Sequence, residues 1–286
     1  MAASSSSVDS AQLFDVKGLV AVVTGGGSGI GTMIVNALEA NGAIVYVIGR
    51  RKENLDKVAA TAKHGNIRTI QGDVTNKADL ERAVAEIKSS VGYLNVVIAN
   101  AGVTGPSMDG LPQNASLADF RNHVFGWDTD EFNRTYATNT TGVFFTIAAF
   151  LELLDEGNKR GNLKQRSQVI AIASIGAYNR IPAAGYAYAS SKAGLVHMMK
   201  QLSTAFVPYN IRSNVIAPGF YPSEMTEPII NGRTEWPKTV IPEERLGDEQ
   251  DVAGTILFLV SKAGAYVNGN VLVSDGGRLG VVPSAY

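Results

Sequence analysis

Short apolar runs rich in β-branched residues recur along this chain, separated by segments with helical spacing of apolar residues. The first run, LVAVVTGGG, begins at Leu19 and ends in glycines, as is typical of a buried strand in a parallel sheet. Strands that alternate with helices form βαβ units. We predict strands in LVAVVT, IVYVIG, IRTIQGDV, LNVVIANAG, QVIAIASIG, IRSNVIAPG and NGNVLVSDGG. The fold class is therefore α/β, a doubly wound parallel sheet of about seven strands with helices on both faces.

The chain shows no composition break and no Pro-rich or Ser-rich linker beyond its first residues. We therefore predict a flexible N-terminal tail over residues 1–15 and a single domain over residues 16–286. Residues 103–130 and 220–244 are too long for ordinary connections. Long loops in a compact domain are often lids or binding loops, so we expect both segments to lie on the substrate side of a site.

Charge and composition exclude several classes of partner. The chain has 25 Lys and Arg against 26 Asp and Glu, and these are scattered, so neither nucleic acid nor a membrane is an expected partner. No apolar stretch approaches ~18 residues, and the start MAASSSSVDS lacks the parts of a secretory signal. There is no cysteine, which excludes disulfides and fits a reducing compartment. We therefore expect a cytoplasmic protein.

The glycine-rich segment TGGGSGIG, residues 24–31, lies between the first predicted strand and the first predicted helix. Glycines there let the backbone approach a phosphate, and the helix N-terminus offers N–H groups with a partial positive charge. The segment therefore predicts a site for a dinucleotide pyrophosphate, with a plain tight turn as the alternative. Gly25, Gly29 and Gly31 follow the spacing T-G-x-x-x-G-x-G, which differs from the G-x-G-x-x-G fingerprint.

This spacing resembles the first βα turn of the classical short-chain dehydrogenase/reductase family, and other motifs of that family follow in the family's order. The matching residues are Asp73 and Val74, then Asn100, Ala101 and Gly102, then Asn139, Ser174, Tyr188 with Lys192 as Y-x-x-x-K, Pro218 with Gly219, and SDGG at 274–277. Together with the glycine turn they cover about residues 18–278. The resemblance implies a Rossmann-like fold and one dinucleotide-binding oxidoreductase domain.

The resemblance also implies which residues contact the cofactor. They are Gly25, Ser28, Gly29, Ile30, Gly31, Arg50, Arg51, Asp73, Val74, Asn100, Ala101, Gly102, Tyr188, Lys192, Pro218, Gly219 and Ser223. The second strand ends at Arg50 and Arg51, with no carboxylate before Glu53. An acidic side chain there suits the ribose of NAD, whereas a guanidinium suits a 2′-phosphate. We therefore predict NADP(H), with a solvated helix start as the alternative for the arginines.

For the chemistry, the resemblance implies Asn139, Ser174, Tyr188 and Lys192 as catalytic residues. Reduction of a carbonyl builds negative charge on its oxygen, so a proton donor must lie beside it. Of the ten tyrosines, Tyr188 alone has a lysine four residues later, on the same helix face. Lys192 is expected to lower the pKa of Tyr188 and to hold the nicotinamide ribose, Ser174 to orient the carbonyl, and Asn139 to support a water relay. Tyr186 is assigned to packing or pocket lining.

Histidines and metals have no expected part in the reaction. His64 and His123 lie in polar surroundings and His197 lies beyond the active turn of its helix, so surface or packing positions are expected for all three. No set of His, Asp and Glu has the spacing of a metal site. No catalytic metal is therefore implied.

The expected function is that of an NADP(H)-dependent ketoreductase or the reverse alcohol dehydrogenase. Such an enzyme transfers a hydride between C4 of the nicotinamide and a small carbonyl compound or secondary alcohol. Two alternatives stay open: the same fold used for epimerisation, dehydration or another biosynthetic step, and a non-catalytic NADP(H)-binding regulator. Fold alone says nothing about which carbonyl compound is used.

Two groups of apolar residues allow more than one interpretation. Phe220, Tyr221, Met225 and Trp236 indicate either an apolar substrate or a lid that packs on itself. The resemblance implies a homotetramer or homodimer formed through the helices that carry Asn139 and Tyr188. An apolar stripe on the first helix, Phe144, Ala148 and Leu151, fits that assembly and equally fits burial within a monomer.

Overall fold

The computed structural model describes residues 8–182 and 184–286 and contains a single seven-stranded parallel sheet. Its strands are β1 (Val20–Thr24), β2 (Ile44–Gly49), β3 (Ile67–Gln71), β4 (Val96–Ala99), β5 (Gln168–Ile172), β6 (Arg212–Pro218) and β7 (Val271–Ser274). Their order across the sheet is β3-β2-β1-β4-β5-β6-β7. All neighbouring strands run parallel, which confirms the predicted fold class.

Helices cover both faces of this sheet. They are α1 (Ser10–Leu13), α2 (Gly29–Ala40), α3 (Lys52–Ala60), α4 (Lys77–Ser90), α5 (Leu117–Phe125), α6 (Thr129–Tyr136), α7 (Gly142–Ala149), α8 (Leu151–Arg160), α9 (Tyr186–Ala205), α10 (Glu227–Ile230) and α11 (Glu249–Val260). Successive side chains of a strand point to opposite faces. Ala21 and Val23 of β1 therefore pack in the core under α2, α3 and α11, whereas Val20 and Val22 pack in the core under α4, α7, α8 and α9.

The strand order places a crevice between β1 and β4. The chain leaves β1 toward β2 and β3 on one side, and continues from β4 toward β7 on the other. At such a switch point the loops after the two strands separate, and ligands of doubly wound sheets bind outside the carboxyl ends of the strands. The glycine turn after β1 and the Asn100 segment after β4 border this crevice.

The structure differs from the sequence predictions at several element boundaries. α1 lies inside the segment predicted as a tail, and Asp9 caps it by accepting from the Gln12 N–H; residues 1–7 lie outside the described part of the chain. α9 begins at Tyr186, two residues before Tyr188. Within the predicted long loop 103–130, α5 forms behind a capping box in which Ser116 and Asp119 bond each other's backbone N–H groups.

The apolar stripe of Phe144, Ala148 and Leu151 was assigned to one helix, but its residues lie on two, α7 and α8. α7 ends and α8 begins around the buried Phe150, whose backbone (φ −96°, ψ 3°) departs from helical values. Among the described residues no single helix is long and apolar enough to cross a membrane. The consecutive segments Thr129–Ala149 and Leu151–Arg160 meet that test only when taken together, across a bend of 45°.

The segment 220–244 packs largely on itself. Ile230, Trp236 and Ile241 form a small buried cluster with Phe220 packed against it, and Tyr221 joins the core under α2 and α11. Met225 instead faces the crevice described below. Of the two interpretations of these apolar residues, a lid packed on itself therefore accounts for most of them.

Candidate active site

A groove of about 440 Å³ runs along the C-terminal ends of β1, β2, β4 and β5. Cavities of this size are common for small-molecule and cofactor sites. Most residues predicted to contact a cofactor line it: Gly25, Ser28, Gly29, Ile30, Gly31, Arg50, Arg51, Asp73, Val74, Asn100, Ala101, Gly102, Tyr188, Lys192 and Ser223. The fold thus brings together residues that lie up to almost 200 positions apart in the sequence.

Pro218 and Gly219 were predicted to contact the cofactor, but they do not line this groove. Pro218 ends β6, and the Gly219 N–H donates to the Ser274 carbonyl oxygen over 2.9 Å. A Cβ at position 219 would lie 2.7 Å from the Cα of Asp275. The pair therefore allows the end of β6 to pass close to the segment after β7, and it starts the loop that reaches the groove at Ser223.

The glycine turn has the geometry of a phosphate cradle. Gly25 has φ +65°, which favours glycine, and a Cβ there would lie 2.8 Å from the Cα of Ala101. Asn100 fixes the turn by donating from Nδ2 to the carbonyl oxygens of Thr24 and Gly25, at 3.0 and 3.1 Å. Ser28 precedes α2 and makes no side-chain capping bond to it. Ser28 and the first residues of α2 line the groove, so the N-terminus of this helix borders it. These residues fit a pyrophosphate.

Two arginines stand on the β2 side of the groove. Arg51 forms an ion pair with Glu224, its Nη1 lying 3.1 Å from Oε1 and 3.0 Å from Oε2. Arg50 lies 3.8 Å from a carboxylate oxygen of Asp73. The side chain of Arg50 is 66% exposed and that of Arg51 is 50% exposed, and both residues line the groove. This side of the site can therefore offer positive charge to an anionic group on a ribose.

Further lining residues were not identified from the sequence. They include Asn54 and Leu55 from the first turn of α3, Thr138 from the segment before α7, and Glu224 and Met225 from the long loop. Asn54 could have been predicted from the sequence, because it lies in the first turn of the helix that directly follows Arg50 and Arg51. Glu224 carried no local signal, since it approaches the arginines from a distant part of the chain.

Tyr188 and Lys192 lie one turn apart on α9 and are both buried. Lys192 is 3 % exposed, and its Nζ donates to the carbonyl oxygen of Ile172 over 2.8 Å. Burial lowers the pKa of the Lys192 amine to about 8. The predicted pair is thus assembled on one helix face at the end of β5, with both side chains lining the groove.

The expected lowering of the Tyr188 pKa by Lys192 stays a prediction, because other groups set the direction of the shift in this arrangement. Burial raises the pKa of Tyr188 above its ordinary value, and the hydrogen bond to Ser174 acts in the opposite direction without reversing the shift. The Nζ of Lys192 lies 5.9 Å from the centroid of the Tyr188 ring and is directed to the Ile172 carbonyl. Desolvation of the phenol therefore dominates its pKa.

Ser174 stands at the start of a 3-10 turn, Ile175–Ala177, directly after β5. Its hydroxyl oxygen accepts from the Gly176 N–H over 3.0 Å. A Cβ at position 176 would lie 3.2 Å from Cε1 of Tyr188, so the turn packs closely on the phenol ring. Ser174 does not line the groove, but hydrogen bonding to it acts to lower the pKa of Tyr188.

Asn139 lies outside the groove, in a π-helical segment, Ala137–Thr141, that connects α6 to α7. It is fully buried. Its Oδ1 accepts from the Val103 N–H over 2.9 Å, and its Nδ2 donates to the Val103 carbonyl oxygen over 2.9 Å and to the Ser191 hydroxyl over 3.1 Å. The amide therefore ties the segment after β4 to α9, next to Tyr188 and Lys192.

The residues beside Tyr188 on α9 contact neighbouring elements. The Ser190 hydroxyl accepts from the Tyr136 hydroxyl over 2.7 Å, on the side of α6. Ser191 is buried against Asn139. Tyr186 is exposed, and its ring lies 6.1 Å from that of Trp127, as a packing or lining residue does.

The sequence is similar to proteins of one known family over most of its length. A family model described as enoyl-(acyl carrier protein) reductase matches residues 25–278. The short-chain dehydrogenase/reductase PhomF of Diaporthe leptostromiformis is 52% identical over 286 residues, which cover 98% of each chain. The chain belongs to the short-chain dehydrogenase/reductase family. Membership of this family makes it an oxidoreductase of the short-chain type and confirms the predicted resemblance.

Other short-chain dehydrogenases/reductases support the same assignment. VdtF of Byssochlamys spectabilis is 41% identical over 298 residues, covering 96% of this chain and 97% of its own. Among solved structures, the RhlG/NADP active-site complex of Pseudomonas aeruginosa has a TM-score of 0.78 and 30% identity, with 93% of this chain and 98% of that chain covered. The presence of a nicotinamide cofactor in that structure agrees with the predicted class of cofactor.

Proposed function

We propose that this protein is an NADP(H)-dependent oxidoreductase that interconverts a small carbonyl compound and the corresponding secondary alcohol. The observation that carries the proposal is that two arginines and a tyrosine–lysine pair lie along one groove. Arg50 and Arg51 follow β2, and the buried pair Tyr188 and Lys192 lies by the end of β5, with β1 and β4 between them. A dinucleotide that spans these strands would have its anionic and reactive ends at the two groups.

NADP(H) is favoured over NAD(H) by the charges on the β2 side. A 2′-phosphate carries up to two negative charges and matches the fork of a guanidinium, which donates parallel charge-assisted hydrogen bonds. Arg50 and Arg51 offer two such forks, and the residue after β2 is not acidic. The NADP complex of the relative RhlG supports the same choice by similarity.

The residues of α9 and the turn after β5 supply the proton and the orientation. When bound, the nicotinamide supplies the hydride. We propose that the Tyr188 hydroxyl donates a proton to the carbonyl oxygen, since burial raises the pKa of Tyr188 and keeps the phenol protonated at neutral pH. Ser174 donates a hydrogen bond to the same oxygen as its charge grows, and a protonated Lys192 stabilises the phenolate that forms.

The test compares two tyrosines that stand two residues apart. Purified wild type, Tyr188→Phe and Tyr186→Phe would be assayed with NADPH and NADH on a panel of ketones. Tyr188→Phe should lose about 10²-fold or more in kcat with its NADPH affinity retained, because only the proton donor is removed. The exposed Tyr186 is the matched control and should lose little. Full turnover by Tyr188→Phe would refute the assigned proton donor.

The same assay separates the alternative functions. A changed product without net oxidation or reduction of the cofactor would indicate epimerisation, dehydration or a related step. NADPH binding without turnover of any ketone in the panel would indicate a regulator. We also propose assembly into a homodimer or homotetramer through α7 and α9, since Phe144 and Ala148 of the apolar stripe are exposed on the chain. Sedimentation analysis tests that assembly.

A further inference from the structure

The loop after β6 crosses the groove and touches both of its walls. Ser223, Glu224 and Met225 all line the groove. At the glycine turn the approach is close, because a Cβ at Gly29 would lie 2.9 Å from the Cβ of Ser223. One residue further, Glu224 reaches the β2 side and pairs with Arg51. The three-residue stretch therefore bridges the glycine turn and the arginine side of the groove.

The guanidinium of Arg51 is held from several directions. Its Nη2 lies 3.4 Å from the Ser28 hydroxyl. In the orientation of the Asn54 amide that satisfies both its oxygen and its nitrogen, the oxygen accepts hydrogen bonds from Nη2 and Nε of Arg51 at 2.8 and 3.1 Å. Nη1 faces Glu224 at 3.0 and 3.1 Å. Ser28 and Asn54 thus fix the orientation of the guanidinium, while Glu224 occupies its remaining edge.

Glu224 is a poor candidate for a purely stabilising role. The side chains of Arg51 and Glu224 are 50% and 65% exposed. Exposed ion pairs contribute little to folding stability, and solvent allows such partners to exchange. A second anion at the same edge of Arg51 would meet the Glu224 carboxylate at close range, and like charges at that distance repel.

We propose that Glu224 is a specificity-determining residue that competes with the 2′-phosphate of the cofactor for Arg51. This inference rests on the proposed NADP(H) dependence. A dinucleotide with a 2′-phosphate takes over the Nη1 edge of Arg51 and displaces Glu224, so that the loop loses its contact with the β2 side. A dinucleotide with a free 2′-hydroxyl leaves the ion pair in place. Glu224 therefore lowers the affinity for NADP(H) selectively.

The test measures cofactor binding without turnover, by fluorescence titration with NADPH and with NADH. Glu224→Gln should tighten NADPH binding about two- to five-fold and leave NADH binding unchanged, since the effect equals the loss of one exposed charge interaction. Glu227→Gln is the matched control, because it makes the same charge change at another exposed position three residues later, at the start of α10. In an Arg51→Gln background, the gain from Glu224→Gln should disappear.

The outcomes separate this inference from the proposed function. If Arg51→Gln weakens NADPH binding but Glu224→Gln behaves like Glu227→Gln, Glu224 does not compete and the inference is overturned while the NADP(H) proposal stands. If Arg50 and Arg51 can both be changed without any selective loss of NADPH binding, the NADP(H) proposal itself fails. Weaker NADH binding by Glu224→Gln would show that Glu224 binds the ribose hydroxyl, which also overturns the inference. Glu224→Asp, with a shorter reach, should give an intermediate affinity.

Discussion

The Nζ atom of Lys192 donates a hydrogen bond to the main-chain carbonyl oxygen of Ile172 over 2.8 Å. This contact holds a buried amine at the end of β5, and the amine lines the groove. A single carbonyl dipole compensates only part of the cost of burying an ammonium group. The pKa of Lys192 is accordingly lowered from 10.5 to about 8.

Lys192→Met should therefore be more stable than the wild type at neutral pH. Between pH 10.5 and 8 the unfolded chain binds a proton at Lys192 that the folded chain does not, so wild-type stability falls as the pH is lowered through this window. The difference should reach about 3 kcal/mol below pH 8. Urea denaturation of both proteins at a series of pH values measures it. Parallel stability curves would contradict the lowered pKa.

Gly25→Ala should abolish the binding of both NADPH and NADH. Its positive φ disfavours a side chain, and the added Cβ would lie 2.8 Å from the Cα of Ala101. Gly65 has a similar φ of +69° with nothing within 4 Å of an added Cβ, so Gly65→Ala is the matched control. We expect Gly65→Ala to cost about 1 kcal/mol of stability and to bind cofactor normally. Normal cofactor binding by Gly25→Ala would argue against a phosphate cradle at this turn.

Glu39→Gln should destabilise the protein by about 1–3 kcal/mol. Glu39 is 1% exposed on α2, and its carboxylate accepts from the backbone N–H groups of Lys63, His64 and Asn66 at 2.8, 2.7 and 3.1 Å. Burial alone would raise the pKa of Glu39, but these three bonds hold it below its ordinary value. An amide offers one acceptor oxygen and turns its NH₂ toward backbone donors.

The pH dependence of this loss has a definite sign. Because the folded-state pKa of Glu39 is lowered, its contribution is present above the unfolded-state value near 4.5 and disappears as the pH falls through the folded-state pKa. Wild type and Glu39→Gln should thus converge in acid. Glu86→Gln, on the exposed face of α4, controls for the charge change. A constant difference between wild type and Glu39→Gln down to pH 3 would contradict the lowered pKa.

Asn139→Asp should destabilise the fold by about 3 kcal/mol at pH 8, because a carboxylate would face the Val103 carbonyl oxygen that the amide now donates to. The loss should be smaller at pH 5, since a buried carboxyl group is more easily protonated there. Asn114→Asp, on an exposed loop, is the control. Denaturation at the two pH values measures both effects, and equal losses would mean that the side chain is not confined as the structure shows.

Much of the fold follows from local pattern, whereas its turns and bends depend on packing. Seven apolar runs predict seven strands, because a strand buried on both faces needs a continuous apolar sequence. The same pattern cannot place the break at Phe150, since apolar residues continue on both sides of this buried residue. The capping box of Ser116 and Asp119 was visible in the sequence and marks the start of α5.

In the site, too, some features follow from the spacing of residues in the sequence and others depend on contacts between distant parts of the chain. The spacing of Tyr188 and Lys192 predicts that they share a helix face, which the structure confirms. The direction of the Lys192 side chain depends on the Ile172 carbonyl, twenty residues earlier, and so the effect of Lys192 on the pKa of Tyr188 could not be read from spacing. Glu224 meets Arg51 across 173 positions of sequence, which no local pattern records.

The π-helical segment Ala137–Thr141 makes the junction between α6 and α7 sensitive to chain length. A π turn accommodates one more residue than an α-helical turn, and one residue corresponds to a rotation of about 100°. Deleting a single residue here would let α6 and α7 join as one regular helix. The residues before the deletion, however, would then turn away from their partners on α9 and after β4. This junction should therefore tolerate substitutions of its exposed side chains far better than any change in its number of residues.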